Sequence, residues 1–471
     1  MVTIIDDYRE GGERNSRDMR NLLEKDKKFC SQGDTSSKHI PKKVFSRAKG
    51  SYLYDDKNVK YLDMQMFNSS ANFGYQNVAY NNCIDKQLHD LPSLSAEFMN
   101  ENRILLSEKI CNYMYYNYGV KGRVHFTVGG AQAVDDALKL SFNYTKKQGV
   151  ICFEGAYHGR TMAASSISSS YRYTKQFGNV IDTYTIPFPN CSACAYGMKN
   201  CNSNILYCIE RIKRLFKSEF LGVYDTNSDE SRYSTFIFEP VLGRGGYVFP
   251  NENYYKQIIE ILRSHGIVII ADEVQMGFYR TGKLWSFENY NICPDIIVFG
   301  KAISNGIWPL SGIWASEKII SPEIWKTGST HCTFAGHPLG TAIGMETFNI
   351  LEDPTQIKKI KESSQAFENI VQQLKKDYPF ITRAQVLGHA AGIDILDPIT
   401  HQPATKKTHL LIENALNNPY IYKGEKCGLI LTAGGLYNSS LMLSPSVFIS
   451  AEELNMFNEV FRFYLDNIFT K

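Results

Sequence analysis

Four side chains able to do acid–base or amine chemistry follow apolar segments that are typical of buried strands. They are Glu154, Glu239, Asp272 and Lys301, which follow segments 150–153, 236–238, 267–271 and 296–299. Ligands of open parallel sheets bind beyond the carboxyl ends of the strands, so the sequence places its chemistry there. A lysine just past a strand is usually a surface residue, but a desolvated lysine has a lowered pKa and suits Schiff-base chemistry.

The apolar patterns predict an α/β fold in which helices cover both faces of a mostly parallel sheet. Val134, Leu138 and Phe142 recur at the spacing of one helix face. The run 267–271 is continuously apolar, as in strands that are covered on both sides. Residues 51–54 and 60–63 alternate in polarity and predict a hairpin. We therefore predict a large doubly wound domain together with a smaller α/β domain.

The expected domain organisation has three segments, of which the first and last form the small domain together. Residues 1–75 contain a charged N-terminal arm and the hairpin. Residues 76–335 form the large domain. Residues 336–471 form the C-terminal part of the small domain, with a strand at 428–431 and a terminal helix at 451–467.

Composition and charge exclude several classes of function. The 51 basic and 48 acidic residues give a net charge of +3, without the basic face that binds nucleic acid. No apolar run approaches the roughly 18 residues of a membrane span, and the first residues contain no secretory signal. Eleven cysteines without such a signal indicate reduced thiols, which predicts a cytoplasmic location.

One group of cysteines leaves two interpretations open. Cys191, Cys194, Cys201 and Cys208 lie within 18 residues of one another along the chain. The C-x2-C spacing is compatible with zinc, but the six-residue gaps that follow are uncommon in structural zinc sites. We expect reduced, partly buried thiols and no metal, with a metal site as the alternative.

A phosphate-binding loop is the strongest rival reading of the sequence. Residues 277–283 fit the pattern G-x-x-x-x-G-K and follow a buried strand that ends in two carboxylates. However, Leu284 stands where a serine or threonine should hold Mg²⁺, and the loop starts only four residues after Glu273. No clear helix follows it. A phosphate-loop hydrolase is therefore a distant alternative.

Seven motifs taken together resemble the class III pyridoxal-phosphate aminotransferases, a branch of the fold type I enzymes. The similarity extends from about residue 50 to the C-terminus, and the order and spacing of the motifs agree throughout. The motifs are Phe126-x3-Gly130-Ala131, Tyr157-His158-Gly159, Glu239-Pro240-x2-Gly243-x-Gly245-Gly246, Asp272-Glu273-Val274-Gln275, Arg280-Thr281-Gly282, Gly300-Lys301 and Thr333-Phe334-x-Gly336-His337-Pro338.

The resemblance implies pyridoxal phosphate as the cofactor and two residues that act on it directly. Lys301 would hold the cofactor aldehyde; once an amine substrate displaces it, Lys301 would move the proton between substrate carbon and cofactor carbon. Asp272 would lie beneath the pyridine nitrogen and keep it protonated, so that the ring withdraws electrons. These two residues are the expected catalytic pair.

The resemblance also implies the residues that surround the cofactor ring. Tyr157 and Val274 would cover the two ring faces, and Gln275 would bind the ring hydroxyl. Glu239 is expected nearby in a supporting role. His158 is expected beside the cofactor as a structural or stacking histidine rather than a catalytic one.

The cofactor phosphate is expected to be shared between two subunits. Gly130 and Ala131 would bind it through backbone amides at the start of a helix. Thr333 would reach the phosphate of the neighbouring subunit, because the active sites of the family lie at a dimer interface. The resemblance therefore implies a homodimer.

Substrate residues depart from the family pattern. Many members that use 2-oxoglutarate have a glutamate where this chain has Arg244, and an arginine where it has Met442. Either Arg244 binds a substrate carboxylate while Met442 widens an apolar slot, or Arg244 points to solvent or to a partner. Phe67 and Asn68 lie in the segment that lines the substrate pocket, where some members have a tyrosine in place of Asn68.

We therefore expect transamination in two half-reactions. The donor would be an ω-amine or an amino acid, and the acceptor a keto acid or an aldehyde. A decarboxylase or an aminomutase on the same scaffold is the alternative, since all of these need Lys301 and Asp272.

Overall fold

A seven-stranded sheet forms the centre of the computed structural model, which describes residues 19–31, 33, 43–198, 201 and 206–470. The strands in chain order are β1 (Phe45–Lys49), β2 (Tyr52–Asp55), β3 (Lys60–Asp63), β4 (Gly122–Thr127), β5 (Gly149–Phe153), β6 (Thr183–Ile186), β7 (Tyr224–Asp225), β8 (Glu230–Ser231), β9 (Tyr233–Phe238), β10 (Val268–Asp272), β11 (Ile296–Phe299), β12 (Ser311–Ser316), β13 (Ile381–Leu387), β14 (Ala390–Ile395), β15 (Tyr420–Tyr422), β16 (Glu425–Ile430), β17 (Ala433–Gly434) and β18 (Ser440–Leu443). The helices are α1 (Met19–Phe29), α2 (Met66–Ser69), α3 (Val78–Asp90), α4 (Glu101–Tyr118), α5 (Gly130–Thr145), α6 (Met162–Ile167), α7 (Tyr171–Thr174), α8 (Tyr207–Leu215), α9 (Tyr254–Ser264), α10 (Glu317–Ile320), α11 (Pro338–Glu352), α12 (Pro354–Asp377), α13 (Thr405–Asn417) and α14 (Ala451–Phe469).

The large sheet has the order β4-β12-β11-β10-β9-β5-β6 and is mostly parallel. Only β12 runs antiparallel to its neighbours β11 and β4. Every residue of β5, β9, β10 and β11 is buried, as expected for strands with helices on both faces. The predicted doubly wound sheet is confirmed.

Successive side chains of each central strand enter different cores. In β10, Val268 and Ile270 pack with helix α5 on one face of the sheet. Ile269 and Ala271 pack with α9 on the other face. This alternation follows from the two-residue period of a strand.

The smaller α/β unit is built from both ends of the chain, as predicted. The hairpin β2–β3 is antiparallel, and β3 pairs in parallel with the C-terminal strand β16. The five-stranded sheet has the order β1-β2-β3-β16-β15, and a four-stranded antiparallel sheet has the order β13-β14-β18-β17. Helices α12, α13 and α14 share one core with these two sheets.

Several expectations fall partly outside the described residues. Most of the predicted charged arm, residues 1–18 and 34–42, lies outside them, and α1 covers Met19–Phe29. In the cysteine group, residues 199–200 and 202–205 also lie outside. Within the described part of the chain, no three His, Cys, Asp or Glu side chains are grouped so as to hold a metal ion. Burial raises the pKa of the Cys208 thiol to about 11.

The loop 277–283 does not have the geometry of a phosphate cradle. The amides of Phe278 and Tyr279 donate to the carbonyls of Leu284 and Lys283, at 2.6 and 2.9 Å, and so are not free for a phosphate. Arg280 is fully buried and donates to the carbonyls of His389 and Pro445 and to the Asn72 side chain. The loop therefore joins the large sheet to the C-terminal unit, and the phosphate-loop alternative is not favoured.

None of the helices in the described residues combines the length and the apolar character that crossing a bilayer requires.

Candidate active site

Three potentially charged side chains lie side by side at the carboxyl edge of the large sheet. Asp272 ends β10, Glu239 directly follows β9, and Lys301 is the second residue after β11. Strand β10 lies between β9 and β11 and is parallel to both. The sequence predicted this convergence. Glu154 follows β5 at the same edge but is exposed, so it does not belong to the buried group.

The carboxylate of Asp272 is held by a buried histidine. Asp272 is 6% exposed, and its Oδ2 lies 2.7 Å from Nδ1 of His158, whose side chain is fully buried. The other oxygen accepts the Val274 amide at 3.1 Å. The His158 amide donates to Ser168 Oγ at 2.8 Å, which fixes the segment. His158 is thus placed to orient Asp272.

Lys301 has the lowered pKa that amine chemistry needs. Burial lowers its pKa to about 8, although the charges of Asp272 and Glu239 oppose this. The positive charge of Arg244 lowers it further. A neutral amine is the form that attacks a carbonyl, so the pKa makes Lys301 a nucleophile near neutral pH.

The backbone around Lys301 is tightly constrained. Lys301 has a φ of +47°, in the left-handed region that a lysine rarely occupies. A Cβ atom on Gly300 would lie 2.6 Å from Ser311 Oγ, so only glycine fits before the lysine. Such strain persists where the surroundings over-determine it, and it is common at active sites.

Glu239 links two segments of the site. Its carboxylate accepts the amides of Tyr157 at 2.9 Å and Gly243 at 3.0 Å. Burial raises its pKa to about 7, and the Asp272 charge raises it too, while His158 and the two amides act in the opposite direction. Glu239 is therefore a proton-exchanging group within reach of neutral pH as well as a structural link.

The first turn of α5 and Val274 border the same space. The helix starts at Gly130, and the first amides of a helix have no acceptor within it, which suits an anion. A Cβ on Gly130 would lie 3.0 Å from Val274 Cγ1. Ala131 packs closely on Gly159, because a Cβ atom added to Gly159 would lie only 2.4 Å from the Ala131 Cβ. The ring of partly buried Tyr157 meets Tyr173 edge to face, with centroids 5.6 Å apart.

Gln275 is oriented by a tyrosine that the sequence did not single out. Its Nε2 donates to the Tyr247 hydroxyl at 3.1 Å. The same hydroxyl lies 3.2 Å from Ser69 Oγ. Tyr247 is only 2% exposed, so it forms a fixed support for Gln275.

Phe67 and Asn68 protrude from a strained turn. The four residues of Met66–Ser69 all have positive φ angles, between +42° and +63°. Phe67 is 57% exposed and Asn68 is exposed as well, whereas Met66 and Ser69 are buried. Asp63 accepts the amides of residues 65 and 66, both at 2.9 Å, and so fixes the turn.

The other candidate substrate residues differ in accessibility. Arg244 is partly exposed, and its charge acts on Lys301. Met442 is 3% exposed and packs in an apolar cluster with Val241 and Tyr247, so it offers little surface to a substrate. Thr333 is exposed on the segment before α11.

Comparisons with known proteins agree with this architecture. The family model described as aminotransferase class-III matches residues 33–465. A probable 4-aminobutyrate aminotransferase of Bacillus subtilis strain 168 is 28% identical over 414 residues, covering 87% of this chain and 89% of that relative. An alanine/serine racemase of Pyrococcus horikoshii is 25% identical over 440 residues, covering 92% and 87%.

A solved structure shows the same fold. An omega transaminase from Pseudomonas jessenii, in complex with PMP, superposes with a TM-score of 0.82 at 22% identity. The alignment covers 95% of this chain and 98% of that one. The mostly parallel sheet and the family match together place the chain in the fold type I class of pyridoxal-phosphate enzymes. Since the family model matches most of its length, the chain belongs to the class III aminotransferases, and it is a pyridoxal-phosphate-dependent aminotransferase.

The residues of the site suit that cofactor. Lys301 offers an amine of lowered pKa to an aldehyde. Asp272, fixed by His158, offers a carboxylate to a protonated ring nitrogen. The start of α5 offers backbone amides and the positive end of a helix dipole to a phosphate. The glycines at 130 and 300 keep side chains out of the space between them and Val274.

The lowered pKa of Lys301 predicts its reactivity in the cofactor-free protein. An uncharged acylating reagent should label Lys301 at a rate that rises with pH around a midpoint of about 8, since only the neutral amine reacts. Exposed lysines should show the ordinary midpoint of about 10.4. Mass spectrometry of the labelled peptides measures both.

Two variants test how the neighbouring charges of Glu239 and Arg244 change the labelling midpoint of Lys301. Glu239→Gln should move it down, because the carboxylate charge raises the pKa, and Arg244→Ala should move it up. A Lys301 midpoint equal to that of the exposed lysines would contradict the desolvation argument.

Proposed function

We propose that this aminotransferase takes the amino group from an ω-amine or an amino acid and gives it to a keto acid or an aldehyde in two half-reactions. The convergence of the Lys301 amine, at a pKa of about 8, with the Asp272–His158 pair carries the proposal. The Bacillus subtilis relative, named for 4-aminobutyrate, supports an ω-amine donor.

The proposed mechanism gives Lys301 and Asp272 separate roles. When bound, pyridoxal phosphate supplies an electron sink for the bond that breaks at the substrate carbon. Lys301, as a free amine, would take the proton from the substrate carbon and return a proton to the cofactor carbon. Asp272, oriented by His158, would place its carboxylate beside the ring nitrogen and stabilise a proton on that nitrogen.

The remaining contacts would hold the cofactor in place. Gly130 and Ala131 would bind the phosphate through their amides, as the start of α5 allows. Tyr157 and Val274 would cover the ring faces, and Gln275, held by Tyr247, would bind the ring hydroxyl. Glu239 would support the site by holding the Tyr157 amide.

Arg244 would bind the carboxylate of an acidic substrate. Its charge acts on Lys301, which favours an orientation toward the site over one toward solvent. Phe67 and Asn68 would lie at the substrate side of the site, on the turn that Ser69 joins to Tyr247. Met442 would act only through the apolar cluster behind this wall.

The enzyme would work as a homodimer in the cytoplasm. Three large apolar side chains are exposed close together: Phe98 (63%), Met99 (84%) and Phe334 (57%). The segment of Phe98 and the segment of Phe334 are in contact, because Asn100 donates to the Gly336 carbonyl and Arg103 packs on Gly336. Large exposed apolar patches mark protein interfaces. Thr333 lies beside this patch and would reach the phosphate of the neighbouring subunit. The proposed cytoplasmic location rests on the eleven cysteines, whose number and spacing suit reduced thiols.

A spectroscopic titration tests the reaction class and the donor together. The purified protein with pyridoxal phosphate should be yellow, and particular amines should bleach the visible band while the matching aldehyde or keto acid forms. Lys301→Ala should slow the bleaching by at least about 10²–10⁴-fold, the usual contribution of general acid–base catalysis. Lys376→Ala, at an exposed lysine, is the matched control.

Product analysis separates the alternatives. Carbon dioxide release would indicate a decarboxylase, and an amine moved within one molecule would indicate an aminomutase. Conversion of one enantiomer into the other without keto acid would indicate a racemase, as in the Pyrococcus horikoshii relative. A protein that stays colourless with pyridoxal phosphate would contradict the whole proposal.

Removal of Arg244 tests the carboxylate site. Arg244→Ala should raise KM for pyruvate and 2-oxoglutarate about 10–100-fold, as expected for the loss of hydrogen bonds between charged groups. The KM for butanal, which has no carboxylate, should change far less. Arg232→Ala, at an exposed arginine, is the control. Unchanged KM values for every acidic co-substrate would show that another residue reads the substrate.

The dimer is tested at the apolar patch. Sedimentation should show twice the mass of one chain, and the pair of changes Phe98→Glu and Met99→Glu should give monomers with weakened cofactor binding. Phe220→Glu changes a residue that is 92% exposed outside this patch and should leave the dimer intact. A wild-type monomer that retains its cofactor would contradict the shared phosphate site.

A further inference from the structure

Residues 243–247, here called the glycine loop, connect the site to the C-terminal unit. Three contacts run from this loop into the site. The Gly243 amide donates to Glu239, the charge of Arg244 acts on Lys301, and the Tyr247 hydroxyl accepts from Gln275. Any shift of the loop would therefore move groups that face the cofactor and the substrate.

The glycine loop rests directly on the backbone of the four-stranded sheet. A Cβ on Gly392 would lie 2.3 Å from the carbonyl oxygen of Tyr247 and 2.5 Å from that of Gly246. The amide of Gly435 donates to the carbonyl of Arg244 at 2.9 Å, and a Cβ on Gly434 would lie 2.6 Å from the same oxygen. The sheet thus uses glycines to let the loop approach.

Arg383 uses all five of its N–H groups, two of them to hold the loop and three to bind side chains of its own sheet. Nε and Nη2 donate to the two oxygens of Asp394, each at 2.7 Å. Nη2 also donates to the Gly246 carbonyl and Nη1 to the Tyr247 carbonyl, both at 2.8 Å. The last donor, on Nη1, meets Gln385 Oε1 at 3.2 Å. Arg383 is 3% exposed.

This geometry needs an arginine and not merely a positive charge. A lysine ammonium has three donors at one point and cannot bind a carboxylate in a fork while reaching two separate carbonyls. Asp394 is also held by the Ser440 hydroxyl, which fixes the direction of the fork. The Asp394 side chain is 28% exposed, so the pair is only partly buried, and its two parallel hydrogen bonds contribute geometric specificity as well as energy.

We propose that Arg383 and Asp394 are positioning residues for substrate recognition. They fix the carbonyls of Gly246 and Tyr247, while Gly435 fixes that of Arg244, so the backbone that carries the Arg244 side chain has one orientation. The pair thereby sets how strongly the enzyme prefers acceptors that carry a carboxylate. This inference rests on the proposed role of Arg244 in binding that carboxylate.

The test compares acidic and uncharged acceptors in the holoenzyme. Arg383→Lys should raise the ratio of KM for 2-oxoglutarate to KM for butanal about tenfold, because displacing a binding group by a fraction of an ångström weakens only the acceptor that it contacts. Calorimetric binding of glutarate, which needs no turnover, should weaken by a similar factor. Arg123→Lys, in the exposed ion pair with Glu317, is the matched control and should change neither quantity.

A double-mutant cycle identifies the route of the effect. In the Arg244→Ala background, Arg383→Lys should leave the KM ratio unchanged, because the group that it positions is gone. Equal effects of Arg383→Lys in the two backgrounds would overturn the inference. The inference would also be overturned if Arg383→Lys folds and leaves the KM ratio unchanged while the single variant Arg244→Ala raises it as expected. An unchanged ratio in Arg244→Ala itself would overturn the proposed carboxylate site and this inference together.

A milder variant keeps the test decisive if Arg383→Lys does not fold. Ser440→Ala removes only the hydroxyl that donates to Asp394 and leaves the ion pair present. It should raise the KM ratio in the same direction by a smaller factor. An unchanged ratio in this variant, with thermal unfolding like that of the wild type, would overturn the inference.

Discussion

The desolvation of opposite charges at one sheet edge is the constraint on which the site depends. Parallel strands lie about 4.8 Å apart, so Glu239, Asp272 and Lys301 at three neighbouring strand ends must share one poorly hydrated volume. Burial lowers the pKa of Lys301 to about 8 and raises that of Glu239 to about 7. Burial thus moves the pKa of the amine down from 10.5 and the pKa of the carboxyl group up from 4.5, so that the two values approach one another.

The sheet alone does not complete the site, because its walls belong to other parts of the chain. The glycine loop is fixed by Arg383 from the C-terminal sheet, and the turn Met66–Ser69 comes from the N-terminal hairpin. Both meet at Tyr247, whose hydroxyl lies next to Ser69 and Gln275. The glycine loop and the turn are thus fixed by packing between the two units, whereas Asp272 and Lys301 are fixed within the large sheet.

This division explains what the sequence could predict. Asp272 and Lys301 follow uninterrupted apolar runs, so their place at a strand end is a local property that can be read from neighbouring residues. Arg383 lies in β13, whose sequence ITRAQVL has no continuous apolar run, and Asp394 lies in β14, where half of the residues are alanine or glycine. The loop partners of Arg383 are more than 130 residues away, so no local pattern indicates the pair. Strand β12, with glycine and serine among its six residues, escaped prediction for the same reason.

The strained turn at Met66–Ser69 also depends on residues outside it, which hold its backbone in an unfavourable conformation. A left-handed conformation costs roughly 1–2 kcal/mol per non-glycine residue, so four in succession would not persist alone. Asp63, buried and hydrogen-bonded to the amides of residues 65 and 66 and to Tyr75, holds the start of the turn. Relaxation to ordinary dihedral angles would redirect these side chains, of which the first and last are now buried and the middle two exposed. The strained conformation therefore keeps Phe67 and Asn68 outward while Met66 and Ser69 stay anchored, so the two exposed side chains have a fixed position.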